Sequence, residues 1–324
     1  MTKKLLTLLT SWLLVIALLT GCGLIPQEGL PDVFVPGTSS GAPGTSSVPG
    51  TSSVPETPGL PADSFFQVHF IDVGQADAIL VQCDGKNMLI DGGNAPDSNL
   101  MYTYFKKHNI THLDYVIGTH AHEDHIGGIP GALQVATVDT VYCASTTYTT
   151  KAFKNFAAAV AKRNKAITVP EVGTTFRLGS AECTILAVNT EKKDLNNTSI
   201  VMRIAYGNTS FLFTGDAERE VEQFLLNSGA TLKSTVLKVG HHGSNSSTTY
   251  PFLREVMPEY AVICVGTDND YGHPTNDTLS RLRDAEVKTF RTDKQGDILC
   301  VSDGETVTFT PSRNADMDMY QKIG

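Results

Sequence analysis

The hydrophobic pattern divides the chain before any chemistry is considered. Leu5 to Leu19 form one apolar run behind Lys3 and Lys4, and residues 24 to about 62 show no apolar periodicity. From Phe65 onward, short apolar runs alternate with amphipathic ones. FQVHFID (66–72), DAILVQC (77–83) and NMLID (87–91) read as strands, and 97–108 reads as a helix. LDYVIGT (113–119) is an apolar strand, followed by a strand near 138–142, a helix over 151–165 and short strands near 174–188. SIVMRIAY (199–206) and SFLFTGD (210–216) flank Gly207-Asn208, a hairpin signal. The pattern then runs helix 217–228, strand STVLKVG (234–240), helix 248–256, strand YAVICVG (260–266), helix 275–286 and strands near 287–310. Mixed strands and helices in this order predict one layered α/β domain over 63–312, with a tail over 313–324.

The amino-terminal pattern predicts export. The apolar run is short and wrongly flanked for a membrane span, and it ends in Leu19-Thr20-Gly21-Cys22. That ending resembles a bacterial lipobox. It implies a lipoprotein signal peptide over 1–21, a lipidated Cys22, and a protein anchored to the outer face of the cell membrane. A plain secretory signal with an incidental cysteine is the blander alternative. GTSS recurs at 37, 44 and 50 among Pro, Gly, Ala and Val, so 22–62 reads as a disordered tether with too little apolar surface to fold.

Charge narrows the partners. The formal net charge is −9; without Lys3 and Lys4 it is 23 basic against 34 acidic residues, or −11. This charge argues against a broad nucleic-acid-coating surface and leaves room for a local basic groove. Residues 151–165 carry Lys151, Lys154, Lys162, Arg163 and Lys165 and no acid. They either guide a polyanion or form an ordinary solvated face. Beyond Cys22, five cysteines (83, 143, 183, 264 and 300) lie in or beside apolar, β-branched runs without paired spacing. They read as small buried residues.

The chemistry concentrates in a few strand ends. THAHEDHIGG (119–128) places three of the nine histidines and two acids, Glu123 and Asp124, behind an apolar strand. His120 and His122 can share one cation, while Asp124 and His125 can face a second. Such ligands suit zinc, and also manganese or iron. A solvated histidine loop fits poorly with the apolar strand before it and Gly127-Gly128 after it. Asp216 closes the strand SFLFT and can bridge two cations or cap the next helix. His241 and His242 close STVLKVG, and His273 stands in YGHP. LDYVIGT-HAH and STVLKVG-HHG echo each other weakly, as two half-domains delivering ligands to one cleft would.

HAHEDH is similar to the HxHxDH motif of the metallo-β-lactamase superfamily, and residues 65–310 resemble that superfamily throughout. FxDVGQxD at 70–77, LIDGG, NNTS, FTGD, LKVGHHGS and YGHP further resemble the hydrolase domain of bacterial competence DNA-uptake channel proteins and their stand-alone relatives. The channel segments of those proteins have no counterpart here, which speaks against transport. The resemblance implies a four-layer αβ/βα sandwich holding two divalent ions, zinc first and manganese second. It assigns His120, His122 and a later histidine to one ion, and Asp124, His125 and another to the second, bridged by Asp216. Many members carry a histidine near Asn196-Asn197; its absence makes His242 the expected third ligand beside His120 and His122, with His273 serving the second ion. His241 is then its neighbour, acting through a hydrogen bond or substrate contact, or the alternate ligand. Asp91 resembles the buried acid that orients a ligand, and Asn197 is expected to support the same site. Ser244 is expected to hold a phosphoryl oxygen.

The implied reaction is hydrolysis by a water bridging the two ions, with Asp124, Asp216, His241 and Ser244 attending the chemistry. No cysteine stands at a strand-end ligand position, which favours phosphodiesters, DNA or RNA first, over β-lactams. The competing expectations are a phosphodiesterase on phosphocholine, phospholipid or teichoic-acid groups, a β-lactam hydrolase, and a lipoprotein that uses metal only to bind. Oligomeric state is not legible.

Overall fold

The computed structural model describes Leu60 and residues 64–189 and 193–320. The expected signal peptide, Cys22 and all of the tether except Leu60 lie outside the described residues.

Two sheets face each other. The first runs, in spatial order, β15 (Val307–Pro311), β14 (Ile298–Ser302), β1 (Phe66–Phe70), β2 (Ala78–Cys83), β3 (Lys86–Gly92), β4 (His112–Gly118), β5 (Thr137–Cys143) and β6 (Ile167–Thr168). The second runs β13 (Lys288–Arg291), β12 (Tyr260–Ile263), β11 (Val236–Lys238), β10 (Thr209–Phe213), β9 (Val201–Tyr206), β8 (Ala181–Ala187) and β7 (Thr175–Leu178). Alternation explains how they stack. In β1, Phe66, Val68 and Phe70 are buried while Gln67 and His69 are half-buried. These rings meet Tyr206, Phe211 and Phe213 from the opposite sheet.

Helices cover both outer faces. α1 (Ser98–Lys107), α3 (Ile129–Val135) and α4 (Lys151–Ala161) pack Met101, Phe105, Phe153 and Phe156 against Leu80, Leu89 and Val116 of the first sheet. α5 (Arg219–Asn227), α6 (Tyr250–Val256) and α7 (Asn276–Asp284) pack Leu225, Phe252 and Leu282 against Leu212, Leu237 and Ala261 of the second. This is the expected αβ/βα sandwich.

Turn chemistry sets two registers. Asp84-Gly85 joins β2 and β3 with both φ angles positive, at 50° and 78°, the type I′ requirement. Gly207-Asn208 joins β9 and β10 with Tyr206 opposite Thr209, as the hairpin signal predicts. Local pattern did not reveal α2 (Glu123–Ile126), α3, β6 or α8 (Thr292–Gln295). Each is short, and α3 hides behind Gly128, Pro130 and Gly131. Gly128 is needed for a close approach: a Cβ there would strike the Gly92 carbonyl. The carboxyl-terminal segment packs back onto the domain, where Arg291 donates to the Met319 carbonyl and Tyr320 stacks under Arg283. Among the described residues all five cysteines are unpaired and buried, and no helix is long and apolar enough to cross a membrane.

Candidate metal centre

Four strands deliver the site from their carboxyl ends, where open α/β sheets bind ligands. β4 leads into Thr119–His122, β10 into Thr214–Asp216, β11 into Val239–Gly243, and β12 into the loop carrying Tyr271 and His273. Together they line a cavity of about 290 Å³ with Gln75, Glu123 and Asn196.

The backbone after β11 is unusual. His241, His242 and Gly243 have successive φ angles of 48°, 51° and 85°. Non-glycine residues in this region cost about 1–3 kcal/mol each where the surroundings hold them there. The result is that adjacent imidazoles diverge, with centroids 6.1 Å apart and planes at 66°.

Four of the imidazoles are oriented through Nδ1. His125 Nδ1 lies 2.8 Å from Asp91 Oδ2, and Asp91 also accepts from the Thr119 amide and hydroxyl, each at 2.7 Å. His242 Nδ1 donates to the Cys264 carbonyl at 2.9 Å. His241 Nδ1 donates to Glu218 Oε1 at 3.0 Å. Because Thr119 Oγ1 gives its proton to Asp91, it can accept from His120 Nδ1, 3.2 Å away. In the neutral tautomers that these bonds select, all four rings turn Nε2 toward the cleft, where a cation could take it.

These nitrogens converge on one carboxylate. Asp216 Oδ2 lies 3.2 Å from His125 Nε2, 3.6 Å from His242 Nε2, 3.8 Å from His241 Nε2 and 3.9 Å from His120 Nε2. Asp124, His125, Asp216 and His242 form a group whose ligand atoms all lie within 4.8 Å of one another. His125 Nε2, His242 Nε2 and Asp216 Oδ1 are buried with no hydrogen-bond partner. Orphaned buried atoms of this kind are costly unless something completes them. His120 Nε2 and His122 Nδ1 face each other at 2.9 Å. Two nitrogens at zinc-ligand distance from one ion stand about 2.9–3.4 Å apart. The donor set thus fits two divalent cations.

Electrostatics agree. Burial would raise the Asp216 carboxyl, but the imidazoles of His125, His242 and His241 hold it well below the usual carboxylate range. Burial would lower His242, but Asp216 and Asp77 push it up to about 10. Burial and the neighbouring His125 push His120 well down. The acids draw protons onto imidazoles that cations would otherwise neutralise.

Most expected residues meet here, with corrections. His242 does not join His120 and His122; its turn carries it to Asp124 and His125. His273, expected at the second ion, stands outside that donor group, 5.4 Å from His241 between ring centroids. Ser244 lies outside the cavity lining because the chain turns at Gly243, and its hydroxyl pairs with Ser246 Oγ at 2.9 Å. Asn197 acts one step away, accepting from the Glu218 amide at 2.9 Å, while Asn196 is the residue that faces His241.

Three groups have roles that the motifs did not reveal, although Asp77 closes FxDVGQxD and Lys238 stands in LKVGHHGS. Lys238 and Asp77, both buried, pair at 2.7 Å behind His242. Asp77 Oδ1 lies 3.3 Å from His242 Nδ1. Their signal was an acid and a lysine inside apolar runs. Glu218 looked like an ordinary helix-start acid.

Residues 71–267 match the family model described as the metallo-beta-lactamase superfamily. The chain belongs to that superfamily of metal-dependent hydrolases. It is similar to ComE operon protein 3 of Bacillus subtilis (strain 168), 29% identical over 257 residues covering 72% of this chain and 32% of that one. It is also similar to recombination protein 2 of Haemophilus influenzae, 30% identical over 225 residues covering 67% and 26% respectively. The chain thus spans about a third or less of the length of these curated relatives. Among solved structures, the metallo-beta-lactamase fold protein YhfI from Bacillus subtilis aligns with a TM-score of 0.49 at 15% identity, over 74% of this chain and 100% of that one.

Proposed function

We propose that the chain is a dinuclear metal-dependent phosphodiesterase acting on nucleic acid outside the cell membrane, to which a lipidated Cys22 tethers it. The carrying observation is the single Asp216 oxygen with four imidazole nitrogens within 4 Å. One carboxylate shared between two histidine-lined positions suits in-line displacement at phosphorus. Every donor is nitrogen or oxygen. The name of one curated relative, recombination protein 2, favours nucleic acid among phosphodiesters.

His120 and His122 would hold one ion, Asp124, His125 and His242 the other, with Asp216 between them; zinc is preferred, with manganese second. Bound there, the ions would supply Lewis acidity toward phosphoryl oxygen and lower the pKa of water. Asp91 and Thr119 fix His125 and His120. Glu218 fixes His241 so that its Nε2 faces Asp216 and Asn196 in the cleft. Asn196 Nδ2 lies 3.4 Å from His241 Nε2, whereas Glu218 contacts the ring through Nδ1.

The test is hydrolysis by the full chain, loaded with zinc or manganese, of single-stranded DNA, RNA, bis-p-nitrophenyl phosphate, a phosphocholine ester and a β-lactam. Cleavage of the nucleic acids and the simple diester is expected. Turnover of the β-lactam alone would overturn the reading.

A further inference from the structure

One surface of the cleft is unused by the chemistry above. Tyr271 is the most exposed large hydrophobic side chain among the described residues, at 72%. A solitary exposed aromatic is commonplace. This one is distinguished by its place and its support. It lines the same cavity as Asp124, Asp216, His241 and His242. Its ring lies nearly flat against His273, with centroids 5.7 Å apart and planes at 24°.

The loop beneath it is pinned. Asn269 Nδ2 donates to the carbonyls of Gly266 at 2.9 Å and His273 at 2.7 Å, and Asn269 Oδ1 accepts from the His273 amide at 3.0 Å. The Gly266 amide donates to Gln75 Oε1 at 3.1 Å. The approach is so close that a Cβ on Gly266 would come within 2.5 Å of the Gln75 nitrogen. The aromatic face is therefore held in place before any ligand arrives, which lowers the ordering cost of binding.

Size and composition say what the face receives. The cavity, about 290 Å³, lies at the lower edge of the roughly 300–1,000 Å³ of small-molecule sites. Its lining is polar, so it accepts the phosphodiester while the rest of a substrate projects past the lip where Tyr271 stands. Tyr271 is the one phenol or phenyl ring in that lining. Quaternary ammonium groups are held by cages of several aromatics, whereas a flat base needs one face.

We propose that Tyr271, backed by His273, is a stacking ledge for a nucleobase next to the scissile phosphodiester. The proposal rests on the phosphodiesterase reading and names its substrate more closely. Stacking on a π-face discriminates little between bases, so the ledge predicts a nucleotide-specific but sequence-tolerant enzyme.

The test compares three p-nitrophenyl phosphodiesters on the metal-loaded full chain: the thymidine 5′ ester, the methyl ester and the phosphocholine ester. They share the reacting centre and the leaving group. Tyr271→Ala should lower the thymidine-to-methyl ratio of kcat/KM by about 5- to 150-fold, the equivalent of ~1–3 kcal/mol of stacking. Tyr271→Phe should keep the wild-type ratio. A second readout needs no turnover: a dinucleotide containing 2-aminopurine should be quenched on binding to wild type and Tyr271→Phe, and less by Tyr271→Ala. An unchanged ratio in Tyr271→Ala, or a loss confined to the phosphocholine ester, would overturn the ledge. Wild type that cleaves none of the esters would defeat the phosphodiesterase reading, while quenching would still decide the ledge.

Discussion

His241 and His242 are adjacent in sequence and serve different neighbours. His242 joins Asp124, His125 and Asp216, whereas His241 is bound to Glu218 and faces Asn196. His242→Ala should therefore cost bound metal, seen by elemental analysis as a fall from two ions toward one per chain. Asp216→Ala removes the shared oxygen and should abolish turnover with metal content reduced and the circular dichroism of the fold kept; full wild-type activity in this variant would sink the dinuclear site. Glu218→Ala leaves the His241 ring free to rotate and should lower kcat by about 10–100-fold, the usual cost of removing a group that orients a ligand or catalytic histidine. Glu218→Gln should recover most of it, because its amide oxygen still accepts from Nδ1; an equal loss in both variants would refute the orienting role. The histidines themselves were legible because they cluster within short motifs. Which of them stand together was not, because the placement of His241 and His242 depends on two left-handed backbone conformations that no side-chain pattern announces.

Among elements, strands and long helices were legible because period and turn residues agree. The short α3 was masked by residues that usually break helices. Asp84 shows how one turn residue ties elements together. Its carboxylate accepts from the Ser64 hydroxyl at 2.7 Å, the Phe65 amide at 3.0 Å and the Ser180 amide at 2.8 Å. It thereby clamps the start of β1 to the β7–β8 turn. Burial would raise this carboxyl, but the hydrogen bonds from Ser180, Ser64 and Phe65 hold it down to about 2. An unfolded aspartate titrates near about 3.9. A depressed folded value means that the contribution is complete above about pH 4 and is lost as pH falls toward 2. Asp84→Asn keeps a residue that tolerates positive φ and should flatten the dependence of stability on pH in that window, measured by urea unfolding at pH 2 to 5. An unchanged slope would remove Asp84 from the account of acid sensitivity.

At the scale of the molecule, the two sheets are joined beneath the site by a buried ion pair. Lys238 rises from β11 and Asp77 from the segment entering β2, 161 positions apart in sequence and 2.7 Å apart in space. That distance in sequence is why the pair was invisible before folding. Lys238→Met strands a buried carboxylate beside His242, which should cost about 3–5 kcal/mol; Lys238→Met with Asp77→Leu should restore part of it in thermal unfolding. If the single variant is as stable as wild type, the pair is not what holds Asp77 in place. The amino-terminal export pattern concerns where this whole molecule works. On the proposed reading, lipid on Cys22 and the Gly/Ser/Thr/Pro stretch after it would keep the metal centre near the membrane without sinking it. A single acyl chain binds membranes only marginally, so the proposed anchor would need more than one chain on Cys22. Cys22→Ala should therefore shift the processed chain from the membrane pellet to the medium while its hydrolytic activity per molecule stays that of wild type. A chain that remains wholly in the pellet after signal cleavage would show that something other than Cys22 holds it there.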